Sequence, residues 1–259
     1  MQLTFSGKLD DIAIDTIRQF APRDGEKLCV AYSGGKDSVV LLDLVERSRV
    51  NFVARNLFIP VEPPELRKFV REQMKQHNIE IVLPRISFLA TAIQRQTLPL
   101  RQKRWCCSVW KENRPQFEHL VLTGIRSEES PNRRKRPEFE LCRRSHHAFL
   151  HPMKRWSTHD VWRYIHAYDL PYCSLYDEGF RRIGCVLCPM SRDVQRDLKR
   201  FPKQCEIWRR VASAIFAVQK HPYHKSAEDY WNWWLNRDAS FKDEPNDCPL
   251  FSDQLSDQT

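Results

Sequence analysis

The sequence predicts an α/β protein, a parallel sheet with helices on both faces in a Rossmann-like arrangement, followed by a helical C-terminal region. Three observations carry this. Short apolar runs alternate with amphipathic stretches from residue 8 to about residue 124. One run, Leu28 to Tyr32, passes through the turn Ser33-Gly34-Gly35-Lys36-Asp37-Ser38 straight into an apolar helical stretch. Beyond residue 150 helical periodicity takes over.

Residues 8 to 21 place apolar side chains at helical spacing, and Pro22 ends that helix. Leu28 to Tyr32 is long enough for a buried strand, and Val39, Val40, Leu41, Leu42, Leu44 and Val45 fill the helix after the turn. Phe52 to Ile59 reads as a second strand. Pro63-Pro64 then opens a helix running to about His77. Ile79 to Leu83 is a third strand, Leu89 to Gln96 a short helical piece, and Leu120 to Gly124 a fourth strand. Ser157-Thr158-His159-Asp160 has the Ser-x-x-Asp form of a capping box. Residues 190 to 220 read as helix interrupted by Pro202, and 226 to 237 as a tryptophan-rich helix; the tail from Asp238 is polar. The reading gives a first domain over residues 1–190 and a helical extension over 191–259.

A strand, a glycine turn and a helix start together make an anion site. Glycines let the backbone approach a phosphate, and the first-turn N–H groups face it with the helix dipole behind them. Ser33 and Ser38 can add hydroxyl donors and Lys36 a point charge. The adjacent glycines exclude the Walker pattern, in which four residues separate them.

The 259 residues are 41% hydrophobic, enough for a real core, and no apolar run approaches the roughly 20 residues that span a bilayer. No secretory signal is visible, so a cytoplasmic location is expected. A net charge of +9 favours a polyanionic partner. The excess is clustered in Arg133-Arg134-Lys135-Arg136, in Arg143-Arg144, and in Arg95, Arg101, Lys103 and Arg104. Nine cysteines in a reducing compartment read as ligands, nucleophiles or small buried hydrophobes rather than a disulfide framework. Cys106-Cys107 and Cys185-Val-Leu-Cys188 supply four thiolates, which suit either a [4Fe-4S] cluster or a zinc ion held by four cysteines. Cys29 is expected to pack in its strand. Cys142, Cys173, Cys205 and Cys248 read as structural, with Cys142 the one whose pKa neighbouring arginines would lower.

The turn Ser33 to Ser38 resembles the PP-loop of the ATP pyrophosphatase (adenine nucleotide α-hydrolase) superfamily. Arg104-Trp105-Cys106-Cys107, Gly124-Ile125-Arg126-Ser127-Glu128-Glu129-Ser130 with Arg133, Pro152 with Trp156, Asp160-Val161-Trp162, and Gly184-Cys185-x-x-Cys188-Pro189 resemble the phosphoadenosine phosphosulfate reductase family. The resemblance runs from about residue 27 to 190. It implies that Ser33, Gly34, Gly35, Lys36, Asp37 and Ser38 hold ATP, with Lys36 and Asp37 catalytic and Asp37 orienting the loop or a Mg²⁺ ion. It also implies that Gly124 and Arg126 line the nucleotide site, with Arg126 reaching phosphate and Arg133 a weaker candidate. Cys106, Cys107, Cys185 and Cys188 become ligands of one [4Fe-4S] cluster.

Two departures bear on the substrate. Where many members carry Asp-Thr-Gly after the second strand, this chain has Phe58-Ile59-Pro60-Val61-Glu62-Pro63-Pro64, leaving Glu62 as a weak substitute. The Glu-Cys-Gly-x-His tail of assimilatory sulfonucleotide reductases is not found, whereas the loop they degrade is intact. The chain is thus most similar to the ATP pyrophosphatase component of DNA phosphorothioation systems. That likeness implies adenylation of a nucleic acid for sulfur insertion, with a cysteine desulfurase as sulfur donor and other sulfur-modification subunits as partners. Sulfonucleotide reduction, tRNA thiolation, and a non-catalytic cluster protein that binds DNA and uses nucleotide as a switch are the alternatives.

Overall fold

A computed structural model describes residues 8–22, 25–84, 86–112, 120–141, 148–191, 193–218 and 223–236. Cys142, Arg143, Arg144, Cys248 and the tail from Asp238 lie outside them.

Six strands form one sheet: β1 (Leu28–Ala31), β2 (Phe52–Leu57), β3 (Ile79–Val82), β4 (Leu120–Leu122), β5 (Phe139–Leu141) and β6 (Ala148–Leu150), in the order β3-β2-β1-β4-β6-β5. All neighbours are parallel except β5 and β6. β1 is central: Val30 lies opposite Ala54 on one side and Leu122 on the other. Leu28, Cys29 and Val30 are fully buried, which is why this strand reads as an unbroken apolar run. Chain order leaves β1 toward β2 and β3, then returns to β4 on its far side. The reversal makes a crevice at the carboxyl ends of β1 and β4, the position where such sheets take ligands.

Around these strands run α1 (Lys8–Gln19), α2 (Lys36–Ser48), α3 (Pro64–Gln73), α4 (Phe88–Arg95), α5 (Trp105–Cys107), α6 (Pro131–Lys135), α7 (Thr158–Ala167), α8 (Val194–Arg200), α9 (Pro202–Val218) and α10 (Ala227–Leu235). α2 buries one apolar wall, with Val40, Leu41, Leu44 and Val45 all at 5% exposure or less. The Ser157 capping box forms as expected. Its hydroxyl accepts from Asp160 N at 3.0 Å, and the Asp160 carboxylate accepts from Ser157 N at 2.8 Å. Pro202 separates α8 from α9 and opens the second, where its missing N–H costs nothing.

Two expectations are corrected. β5 and β6 were absent from the sequence reading; each is only three residues long, too short for alternation to show. The domain boundary also moves. One compact unit holds the described parts of Met1–Ile86 and Arg104–Cys188, the other those of Ser87–Lys103 and Pro189–Thr259. The segment 87–103 therefore leaves the expected first domain, and side chains explain why. Phe88 packs edge-on against Trp208 at 4.6 Å, Trp234 Nε1 donates to the Pro99 carbonyl at 2.9 Å, and Leu98 N donates to the Tyr230 hydroxyl at 2.9 Å. No helix among the described residues is long and apolar enough to cross a membrane.

Candidate functional site

The turn after β1 is built on Gly34. Its φ is +75°, a conformation that glycine adopts without strain. A Cβ there would sit 2.7 Å from Val70 Cγ2 and 2.9 Å from Leu66 Cδ1, so α3 backs the turn closely. Gly35 caps α2 through its carbonyl, which accepts from Ser38 N at 2.9 Å and Val39 N at 3.0 Å. The two serines tie the neck of the loop. Ser38 Oγ donates to the Gly35 carbonyl at 2.8 Å and accepts from Ser33 N at 3.2 Å, and the two hydroxyl oxygens are 3.2 Å apart. Lys36 N donates to the Tyr176 hydroxyl at 2.9 Å.

Next to the loop, charges alternate. Lys36 is 6% exposed and its Nζ donates to Asp37 Oδ2 at 2.8 Å. Arg126 is 2% exposed and donates through Nε to Asp37 Oδ1 at 2.6 Å. The rest of that guanidinium meets Glu128 Oε2 at 3.2 Å, Thr158 Oγ1 at 3.3 Å and the Trp156 carbonyl at 3.4 Å. The hydrogen bond from the Thr158 N–H holds the Glu128 carboxyl below the usual range. Gly124 permits this meeting of elements, since a Cβ would lie 3.0 Å from the Asp37 carbonyl oxygen.

The structure thus brings together every residue expected at the nucleotide site. Arg126, expected on phosphate, here donates to two carboxylates, a carbonyl and a hydroxyl. Asp37 accepts from Lys36 through one oxygen and from Arg126 through the other, an arrangement that fits the loop-orienting role expected of it. Arg133, the weaker phosphate candidate, is ion-paired to Glu129.

The cysteines come from two short turns. Trp105 and Trp110, both buried and edge-to-face at 5.6 Å, anchor α5 and the π-helical turn Ser108–Glu112 that follows. π-Turns concentrate at functional positions. On the other side Leu187 takes φ +55° between Cys185 and Cys188, whose N–H donates to the Cys185 carbonyl at 3.2 Å. Such a backbone conformation in a non-glycine residue needs support from its surroundings. Here Val186 N donates to the Val61 carbonyl at 2.8 Å, and Val186 and Leu187 are at most 1% exposed.

Among the described residues no three His, Cys, Asp or Glu side chains are spaced as metal ligands. The chemistry of the donors nonetheless fits a cluster. A hydrogen bond donated to Cys107, burial, and the charges of Cys107, Cys185 and Cys188 raise the Cys106 thiol, so the other three cysteines all act on it. Burial pushes Cys185 up to about 11, against the pull of Lys111. The Cys185 charge in turn raises the Lys111 ammonium above the ordinary lysine range. Cys29, Cys173 and Cys205 are buried.

Glu62 stands beside this group at 8% exposure. Burial raises its carboxyl to about 7 from an ordinary 4.5, opposed by Lys111, an Ile59 backbone contact and Arg67. Between those two values the folded protein holds a proton that the unfolded chain has released, so this group's contribution to stability falls as pH rises. Glu62→Gln is expected to flatten that slope. Urea unfolding at pH 5 and pH 7.5 should show the variant gaining roughly 1–3 kcal/mol on the wild type across the window. Parallel slopes would show that Glu62 is ionised in the fold.

Sequence reasoning missed Tyr176 and Lys111. Lys111 lies four residues after Cys107, so spacing could have found it. Tyr176 is 140 residues from its partner and leaves no local signal.

Comparison with known proteins identifies the family. Residues 27–191 match the phosphoadenosine phosphosulfate reductase domain. Among curated relatives, the phosphoadenosine 5'-phosphosulfate reductase of Gloeobacter violaceus is 32% identical over 68% of this chain and 77% of its own length. The adenosine 5'-phosphosulfate reductase 2 of Bacillus subtilis is 29% identical over 64% of this chain and 74% of its own. An uncharacterized protein of Methanocaldococcus jannaschii is 30% identical over 85% of the chain, which spans only 48% of that relative's length. The crystal structure of the Candida auris phosphoadenylyl-sulfate reductase in a phosphate complex shares the fold, with a TM-score of 0.50 at 20% identity, covering 71% of this chain and 98% of that one. A match over most of the chain, together with the loop, the Gly124–Arg126 segment and both cysteine turns, places this protein in the phosphoadenosine phosphosulfate reductase family.

Proposed function

We propose that the chain is an ATP pyrophosphatase that adenylates an oxygen of a nucleic acid for sulfur insertion, with backbone phosphorothioation of DNA as the specific reaction. One observation carries this reading: the Ser33–Ser38 loop is complete and stands on the N-terminus of α2 at the sheet's ligand crevice. Such a loop suits a pyrophosphate leaving group, because first-turn amides and a lysine gather at the positive end of a helix. Lys36 neutralises that charge, and Asp37 holds Lys36 from one side while Arg126 holds Asp37 from the other. A phosphate oxygen is a poor leaving group; joined to AMP it becomes a good one, and a sulfur nucleophile can displace the AMP.

Mg²⁺ would enter with the ATP. Cys106, Cys107, Cys185 and Cys188 would hold a [4Fe-4S] cluster, which when bound supplies a sulfur-binding, redox-active centre. A cysteine desulfurase would be the sulfur source and further sulfur-modification subunits the partners, in a cytoplasmic setting. Exposed Arg134, Lys135, Arg136 and Arg155 support a polyanionic substrate.

A second reading, reduction of an adenylyl sulfate, is favoured by the names of the relatives at 29% and 32% identity. One experiment separates the two. Anaerobically purified protein is given ATP or adenylyl sulfate, with and without duplex DNA or tRNA, and diphosphate and sulfite are measured. Diphosphate from ATP, reduced at least ~100-fold in Lys36→Ala, is the expected outcome. Sulfite from adenylyl sulfate with no diphosphate establishes the second reading instead. Iron assayed on the same preparation should disappear in Cys185→Ser; a wild type with bound zinc or no metal would sink the cluster.

A further inference from the structure

Tyr176 supplies the loop with a group that no motif announces. The N-cap of α2 is Gly35, which offers no side-chain cap, and the first amide of the helix, Lys36 N, is one of the donors a helix leaves unsatisfied. The hydroxyl of Tyr176 accepts it at 2.9 Å. That oxygen also lies over the turn itself, since a Cβ on Gly35 would approach it to 3.6 Å.

The ring that carries the hydroxyl is fixed. Trp162, from α7, meets it edge-on at 5.2 Å and 87°, and Tyr172 lies at 6.4 Å. The short 3-10 turn Ser174–Tyr176 holds its backbone. Burial, the charge of Asp37 and the charge of Cys173 push the phenol up to about 12 against the Lys36 amide and Arg182, so the hydroxyl keeps its proton. A phenol that accepts one hydrogen bond still has one to give. Among the described residues no side chain or carbonyl takes it.

We propose that Tyr176 is a phosphate-binding residue: its hydroxyl accepts from Lys36 N and donates its own proton to a non-bridging oxygen of the pyrophosphate tail held by the loop. The inference rests on the pyrophosphate reading above and deepens it. The anion site then draws on both ends of the chain's nucleotide-binding unit, the first-turn amides and Lys36 at the loop and the Tyr176 hydroxyl from beyond α7. AMP, which lacks that pyrophosphate tail, is the control ligand.

The test compares wild type with Tyr176→Phe for binding of inorganic pyrophosphate, ATP and AMP by calorimetry. One hydrogen bond to a charged oxygen predicts a loss of roughly tenfold to a hundredfold for pyrophosphate and ATP. AMP affinity should stay unchanged and the melting temperature should fall only by the small amount one lost cap predicts, which controls for folding. Equal pyrophosphate affinity in the two proteins overturns the proposal while leaving the loop reading intact. Tighter pyrophosphate binding by Tyr176→Phe also overturns it, showing that the hydroxyl occupies the phosphate position and must be expelled. A variant that loses AMP binding and melts early assigns the hydroxyl to capping α2 alone. Wild type that binds neither ATP nor pyrophosphate ends the underlying reading, and Tyr176 with it.

Discussion

Arg126→Ala is expected to lower the unfolding free energy by about 3 kcal/mol, the scale for removing one member of a buried ion pair. The guanidinium is 2% exposed and donates to Asp37, Glu128, Thr158 and the Trp156 carbonyl. Its loss leaves the Asp37 carboxylate with Lys36 as its remaining cation and strips the Trp156 carbonyl of a buried donor. Glu128 is exposed and returns to water at little cost, which keeps the figure at the low end of the range. Arg126→Lys restores the charge but not the fork that spans four acceptors, so it should recover less than half of the loss. Activity should fall further than stability. Asp37 sets the direction of Lys36, and a misplacement of about 1 Å in such a group costs on the order of 100-fold. Urea unfolding and diphosphate release, measured on the same preparations, check both. An alanine variant of full stability and turnover would show that Asp37 needs no partner beyond Lys36.

Gly34→Ala should be nearly as damaging with a single methyl group. The position sits at φ +75°, which costs any residue with a Cβ about 1 kcal/mol or more. The added carbon would also lie within 3 Å of Val70 Cγ2 and Leu66 Cδ1, and overpacking of this kind costs typically about 1–3 kcal/mol. Leu66 and Val70 are each 3% exposed and have little room to yield. Together these predict a loss of about 3 kcal/mol and a displaced loop. Gly34→Ala combined with Val70→Ala makes room for the methyl group and should recover part of the packing term but none of the backbone term. A Gly34→Ala protein that melts with the wild type would mean that the turn adopts a different conformation.

The nucleotide site was legible because its signals are local. An apolar run, two adjacent glycines and an apolar helix occupy consecutive residues, and each follows from backbone or burial requirements. The cysteine turns were legible by spacing. β5 and β6 were not, because Phe139–Leu141 and Ala148–Leu150 are strands only by virtue of each other and of β4. Arg126 was legible as a residue of the site but its ion pairs were not: a sequence shows that a guanidinium is present, not that Asp37 and Glu128 lie within its reach. Tyr176 was invisible for the same reason at longer range, since its partner is 140 residues away. Ser87–Lys103 was misassigned because nothing within it reveals that Trp208, Tyr230 and Trp234 are its neighbours.

That last arrangement limits how the protein can be dissected. A fragment cut after residue 190 would keep the strip from Phe88 to Leu100 while discarding the tryptophans that sheathe it. Phe88, Ala92, Leu98 and Leu100, now at most 7% exposed, would meet water as one continuous greasy ribbon. Trimming to the sheet-bearing half alone therefore invites clumping, and a cleaner excision would take out the ribbon as well.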